Sequence, residues 1–458
     1  MNSQYDLIVR RGKLVTPAGV TESDLGVAEG KIARLAPAIA ESAPTEIDAG
    51  GRYVLPGIVD AHVHFNEPGR TEWEGLATGS AALAAGGGTV FFDMPLNSEP
   101  PVLDAARFNE KRALAERKSH VDFALWGGLT PANLDKLSEL RDAGAIGLKA
   151  FMCASGIESF LRTDPSALYA GMAAAAKLGM LVAVHAEDDE LAARLTAEQK
   201  AQGRTDARAY LDSRPVEVEL RAIRQALDFA GETRCALHIV HVSSPEGLAL
   251  IAEARQRGVD VTAETCPHYL LLNESDVIHR GAPAKCSPPL RDEPRRLALW
   301  EALRRGAIET VGSDHSPAPA AMKSSKNFFA IWGGIGGVQH GFELLFSESS
   351  ATGYLMADLP VLAAVLSRNV ARRFRLGSHK GTLAEGADAD FSILEFGPER
   401  VIGPAELLTR HPITAYEGRR SRARVTHTFV RGGPVWAEGR LTGRAPGGRF
   451  LRPEAKSA

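Results

Sequence analysis

The chain has 458 residues, 44% of them hydrophobic and 24% charged, with a formal net charge of -3. That balance suits a protein with a large core and leaves neither a basic face for nucleic acid nor an acidic tail. No apolar run approaches the ~20 residues that span a bilayer, residues 1–6 show no basic-then-apolar leader, and Cys153, Cys235, Cys266 and Cys286 form no Cys-x-x-Cys motif, so no membrane contact and a reducing, cytoplasmic setting are expected.

In chain order, residues 5–54 read as short strands punctuated by glycine, one pair meeting at Gly12 and another turning at Glu29-Gly30. An apolar run follows at 53–59, and the texture then changes. Short apolar strands are expected at 89–93, 122–126, 146–151, 181–185, 236–241, 260–264 and 309–314. Helical stretches lie between them, among others at 168–178, 215–229 and 245–257. Nearly continuous apolar strands alternating with helices imply a parallel sheet covered on both faces. About eight such units fit an α/β chain folded as a (β/α)8 TIM-like barrel, with a doubly wound sheet as the alternative. Strand texture of the first kind returns at 381–394, 426–430 and 433–436. Residues 1–54 and 374–458 are therefore expected to form a small β-sandwich domain flanking a barrel of residues 55–373. The end, 443–458, is rich in Gly, Pro and charge and reads as loosely ordered or as cover for a subunit contact.

The polar residues at the strand ends carry the chemistry. In Gly57-Ile58-Val59-Asp60-Ala61-His62-Val63-His64, the two histidines stand at i and i+2. On an extended strand those positions share a face, so both imidazoles can reach one point. Alone, the pair reads equally well as two half-buried histidines. Lys149, His185, His241 and Asp314, however, also fall at or near the ends of predicted strands, where a (β/α)8 barrel places its active site. Lys149 by itself would be an ordinary surface lysine and His185 a loop histidine; six such residues confined to strand ends read as a metal centre. His238, an odd number of residues before His241, points to the opposite face and reads as structural. Four histidines and an aspartate exceed the needs of one tetrahedral ion with an open position. A lysine amine that has taken up carbon dioxide becomes a carbamate with two anionic oxygens, able to bridge two divalent ions about 3.5–4 Å apart. Zinc suits these ligands, and cobalt, manganese and nickel are compatible.

Several segments resemble the cyclic-amidohydrolase branch of the amidohydrolase superfamily: the His62-Val63-His64 segment, Gly147-Leu148-Lys149, Val184-His185-Ala186-Glu187, His241-Val242-Ser243-Ser244, Glu264-Thr265-Cys266-Pro267-His268-Tyr269, Gly312-Ser313-Asp314-His315-Ser316-Pro317 and Lys380-Gly381-Thr382-Leu383. The resemblance runs through nearly the whole chain. It implies that His62, His64, carboxylated Lys149, His185, His241 and Asp314 hold two divalent metal ions, and that the protein is a homo-oligomer, a tetramer or dimer. Dihydroorotases of this branch carry an arginine where this chain has Asn66, and dihydropyrimidinases a tyrosine where it has Ala154. The segments from Asn66 to Gly75, Asp93-Met94-Pro95-Leu96-Asn97-Ser98, Lys285-Cys286-Ser287-Pro288-Pro289-Leu290-Arg291, and Asn327-Phe328-Phe329 with Trp332-Gly333-Gly334 instead resemble the allantoinases. Some of those have a cysteine where Ala318-Pro319-Ala320 stands here. The implied substrate is a small neutral cyclic amide, allantoin, for which amide-type donors and acceptors matter more than a fixed cation. Asn97, Ser287 and backbone near Ser316 and Gly334 are the candidate contacts, although Asn97 reads equally as a turn residue after Pro95. Asp314 is expected to act first as base and then as acid. The alternatives are a hydantoinase or dihydropyrimidinase of altered specificity, a non-catalytic scaffold, and a thiol nucleophile at Cys266, for which no activating base is evident.

Overall fold

The structure, a computed structural model, describes residues 4–455; Met1 to Ser3 and Lys456 to Ala458, on which parts of the leader and tail expectations fall, lie outside the described residues. Parallel strands Ile58–Val63, Gly88–Asp93 and Asp122–Leu125 pair in sequence order. The third resumes after Trp126 as Gly127–Gly128 and pairs with Leu148–Phe151, followed by Leu181–His185, Ala236–Ile239, Val261–Thr265 and Thr310–Val311. Two contacts carry the ring across its seams. The amide of Ile146 donates to the Leu125 carbonyl at 2.9 Å, and that of His64 donates to the His315 carbonyl at 2.8 Å, beside a parallel bridge between Val63 and His315. The (β/α)8 TIM-like barrel expected from the alternating texture is thus the architecture of the chain.

Local sequence explains where the outer helices start. Asp104, Asp164, Ser244 and Asp292 each accept a backbone N–H at the N-cap of Ala105–Lys118, Pro165–Lys177, Pro245–Gln256 and Glu293–Arg304. In the last three a proline stands in the first turn, where its missing donor costs nothing. Helix Val216–Thr233 shows how they dock: Ala222, Ile223, Ala226, Leu227 and Ala230 recur every three to four residues and are all buried.

The two chain ends share one nine-stranded sheet. Tyr53–Pro56 lies at its centre, parallel to Leu7–Thr16 and antiparallel to Phe391–Val401. The apolar run at 53–59 is therefore two strands in two sheets, divided at Gly57. A Cβ there would come within 2.2 Å of the Thr89 hydroxyl, so only glycine lets the chain cross this tightly into the barrel. Gly12 does not separate two strands either. Leu7–Thr16 is continuous, with an irregularity between Val9 and Gly12 and Arg11 at φ 54°, a bulge where a turn was expected. Nor is the described part of the tail loose: Phe123 and Leu451 exchange backbone hydrogen bonds with the 449–451 segment and Phe123 at 3.0 and 2.7 Å, while Phe450 packs against Phe108 and Phe123. No helix among the described residues is long and apolar enough to cross a membrane.

Candidate metal centre and pocket

Five of the barrel strands deliver the candidate ligands toward one mouth. His62 stands on Ile58–Val63, Lys149 on Leu148–Phe151, and His185 ends Leu181–His185. His64, His241 and Asp314 follow their strands by one to three residues. His241 and Asp314 hold φ 41° and 45°, and Asn66 and Asn97 hold 65° and 69°. Side chains other than glycine rarely adopt such angles, and their concentration at this mouth marks a site that the surrounding fold holds under strain.

The ring atoms converge in two groups. Asp314 Oδ1 lies 3.2 Å from His62 Nε2 and 3.4 Å from His64 Nε2, and His185 Nδ1 lies 3.0 Å from His241 Nε2. Ligand atoms about 2.0–2.2 Å from one tetrahedral ion lie roughly 3.4 Å from each other, so both groups have the spacing of donors that share a cation. The His62 and His241 rings, 5.4 Å apart, place the groups side by side. Beneath them the Lys149 Nζ is buried without a hydrogen-bond partner.

Two buried carboxylates fix which ring nitrogens face inward. His62 Nδ1 donates to Glu264 at 2.7 Å and His185 Nε2 donates to Glu187 at 2.8 Å, leaving His62 Nε2 and His185 Nδ1 as acceptors for a cation. His238 faces away from the mouth, bonded to Thr262 at 2.8 Å and lying 3.5 Å from the other oxygen of Glu264. It buttresses the carboxylate that holds His62. Asp60 accepts the amides of His62 and Ser313 at 3.1 and 3.0 Å, and Gly312 brings the last strand in so closely that a Cβ would meet Glu264 at 2.8 Å. Glu187, Glu264 and Asp60 all lie inside or next to the recognised motifs, but their sequence context assigned them no role.

The electrostatics are those of a cation site. Burial pushes the His64 imidazole down to about 4 and the Lys149 amine down to about 8, against the pull of Asp314 and Glu264 on the lysine. Burial alone would raise Asp314, but the imidazoles of His62, His64 and His241 outweigh it and hold the carboxyl well below its usual range. Burial thus favours the neutral form of His64, His185 and His241, while Asp314 is held ionised, the protonation states that metal binding requires. Burial raises the Cys266 thiol well above its ordinary value, which removes it as a nucleophile.

Above the cluster lies a pocket of about 460 Å³ onto which His62, His64, His185, His241 and Asp314 open. Asn97, Ser287 and Ser316 line it. The Asn97 Oδ1 is buried with no partner, whereas the Ser287 hydroxyl donates to Glu187 at 2.5 Å, so its proton is engaged and its oxygen is left to meet a ligand as an acceptor. Ala154 takes part in the wall and adds no polar side chain. Arg214 also lines the pocket, a fixed cation that the reading of the sequence had not placed there.

Comparison with known proteins agrees with this geometry. The family model described as Amidohydrolase family matches residues 53–435. Curated relatives named allantoinase include that of Deinococcus radiodurans, 50% identical over 98% of this chain and 99% of the relative, and that of Solibacter usitatus, 47% identical over 99% and 98%. Among solved structures, L-hydantoinase (dihydropyrimidinase) from Arthrobacter aurescens superposes with a TM-score of 0.95 at 33% identity, covering 98% of this chain and 100% of that one. A barrel with its polar strand ends gathered at one mouth, matched over this length, belongs to the amidohydrolase family of metal-dependent hydrolases.

Proposed function

We propose that this protein is an allantoinase, which hydrolyses a ring amide of allantoin to give allantoate in purine degradation. The observation that carries the reading is end-to-end similarity to curated allantoinases at up to 50% identity. The structural match to an L-hydantoinase, at 33% identity, favours as second reading a hydantoinase acting on another cyclic amide.

The donor set fits a pair of divalent cations. His62, His64 and Asp314 offer atoms within 4.8 Å of one another, His185 and His241 form the second group, and the unpartnered amine of Lys149 beneath both suits conversion to a bridging carbamate. Zinc is the first candidate, with cobalt, manganese or nickel as alternatives. Two such cations would supply Lewis acidity, acidifying a water and polarising the ring carbonyl. The chain's own residues do the rest. Glu264 and Glu187 keep the imidazoles in the right tautomers, Asn97 and backbone groups near Ser316 position the ring, and Asp314 takes a proton from the attacking water and returns it to the departing ring nitrogen. Family resemblance supports a homotetramer, and the cysteine usage supports a cytoplasmic setting. Incubating allantoin with protein loaded with zinc and bicarbonate, and following products by NMR, tests the reading: allantoate should form and a chelator should stop it. Intact allantoin alongside turnover of hydantoin or dihydrouracil would transfer the assignment to the second reading.

A further inference from the structure

Arg214 is held in the pocket wall from several sides. Its backbone carbonyl accepts from Arg291 at 2.5 Å. Its guanidinium lies over the Tyr210 ring at 4.9 Å, and Nη1 donates to Ser213 at 3.2 Å and Thr196 at 3.4 Å. Nε is 3.8 Å from Glu187 Oε1, too far for a hydrogen bond, and is buried without an acceptor. The two charges still pair at that distance, and Arg214 lines the pocket. Glu187 bonds to His185 through its other oxygen, so the guanidinium stands one carboxylate away from the inner donors. Of the lysines of this wall, Lys285 donates to the carbonyls of Phe328 and Ile331 at 2.7 and 2.5 Å, and Lys200 lies over the Phe329 ring at 5.2 Å.

We propose that Arg214 is a specificity-determining residue that donates to the carbonyl oxygen of the ureido arm of the substrate while the ring lies over the metal centre. The inference rests on the allantoinase reading and deepens it. A ring amide attacked at the inner donors must send its substituent outward along the wall, and a ureido arm carries an acceptor that simple hydantoins lack. A hydrogen bond from a guanidinium is roughly twice as strong as a neutral one, and a wall built to donate discriminates against ligands that cannot accept. Ala154 contributes no polar side chain that could take over this contact.

The test compares allantoin with 5-isobutylhydantoin, in which an apolar group of similar shape replaces the ureido arm. Wild-type holoenzyme should favour allantoin in kcat/KM by on the order of 10²-fold. Arg214→Met should reduce that ratio at least tenfold, mainly through KM for allantoin, and Arg214→Lys should restore part of it. An unchanged ratio in Arg214→Met overturns the inference, as does a wild-type enzyme that processes both compounds equally; the wild-type comparison stands even if the variant does not fold. Wild-type enzyme that opens 5-isobutylhydantoin but not allantoin overturns the allantoinase reading itself.

Discussion

Glu264, a carboxylate with no solvent exposure, accepts a hydrogen bond from His62 Nδ1 at 2.7 Å. Its other oxygen faces His238 at 3.5 Å, so one side chain sets the ring angle and tautomer of an inner donor. Burial alone would raise its carboxyl, but the close approach of His62 and His238 and the hydrogen bonds to them bring it to about 2. It therefore remains an acceptor throughout the working pH range. Partners of this kind are worth about 10–100-fold in metal affinity. Glu264→Gln should weaken retention of one cation by that factor, read by competition with a chromophoric chelator, with the far-UV CD spectrum unchanged. Unaltered metal affinity would remove Glu264 from this role.

Lys149 buries an amine without a hydrogen-bond partner, an arrangement that costs stability unless the group serves the site. Lys149→Met keeps the length of the side chain and removes the polar group. The metal-free variant should unfold at the same temperature as metal-free wild type or higher, while its capacity for divalent metal falls by about half. A large drop in the unfolding temperature of the metal-free form would instead make Lys149 a structural residue.

Asp314 touches both His62 and His64 at 3.2 and 3.4 Å and opens onto the pocket. As the group that moves the proton, it should contribute about 10²–10⁴-fold to the rate. Asp314→Asn with metal content verified should therefore lose at least that much kcat; substantial residual turnover would place the proton transfer elsewhere.

Lys380 joins the terminal sheet to the barrel. Its Nζ lies 2.7 Å from Asp122 on a barrel strand and 2.6 Å from Asp390, with all three residues buried. Removing one partner of a buried ion pair strands the other charge, at a cost of about 3–5 kcal/mol. Lys380→Met should lose stability of that size in urea unfolding while the assembled site keeps its KM. The Lys380-Gly381-Thr382-Leu383 segment thus supplies the cation of this joint.

Sequence reveals what depends on chain periodicity. His62 and His64 could be placed on one face because strand side chains repeat every two residues, and His238 could be turned from the mouth by the same rule. The barrel was legible because buried parallel strands are apolar throughout. Contacts between residues distant in sequence were not legible. Glu264 meets His62 across 202 positions and Ser287 meets Glu187 across 100, and no local pattern announces either pair. The division of residues 53–59 between two sheets is set by the packing of Gly57 on Thr89, and Arg214 reaches the pocket only because Tyr210, Glu187 and Arg291 hold it there. The backbone pattern positions donors; the tertiary fold decides what supports them.

The most direct measurement is kcat/KM for allantoin, hydantoin, dihydrouracil and dihydroorotate, side by side, on protein loaded with divalent metal and bicarbonate. Clear preference for allantoin, abolished by chelation and restored by metal, is the predicted result. Metal-dependent turnover that favours hydantoin or dihydrouracil, with allantoin untouched, would contradict it.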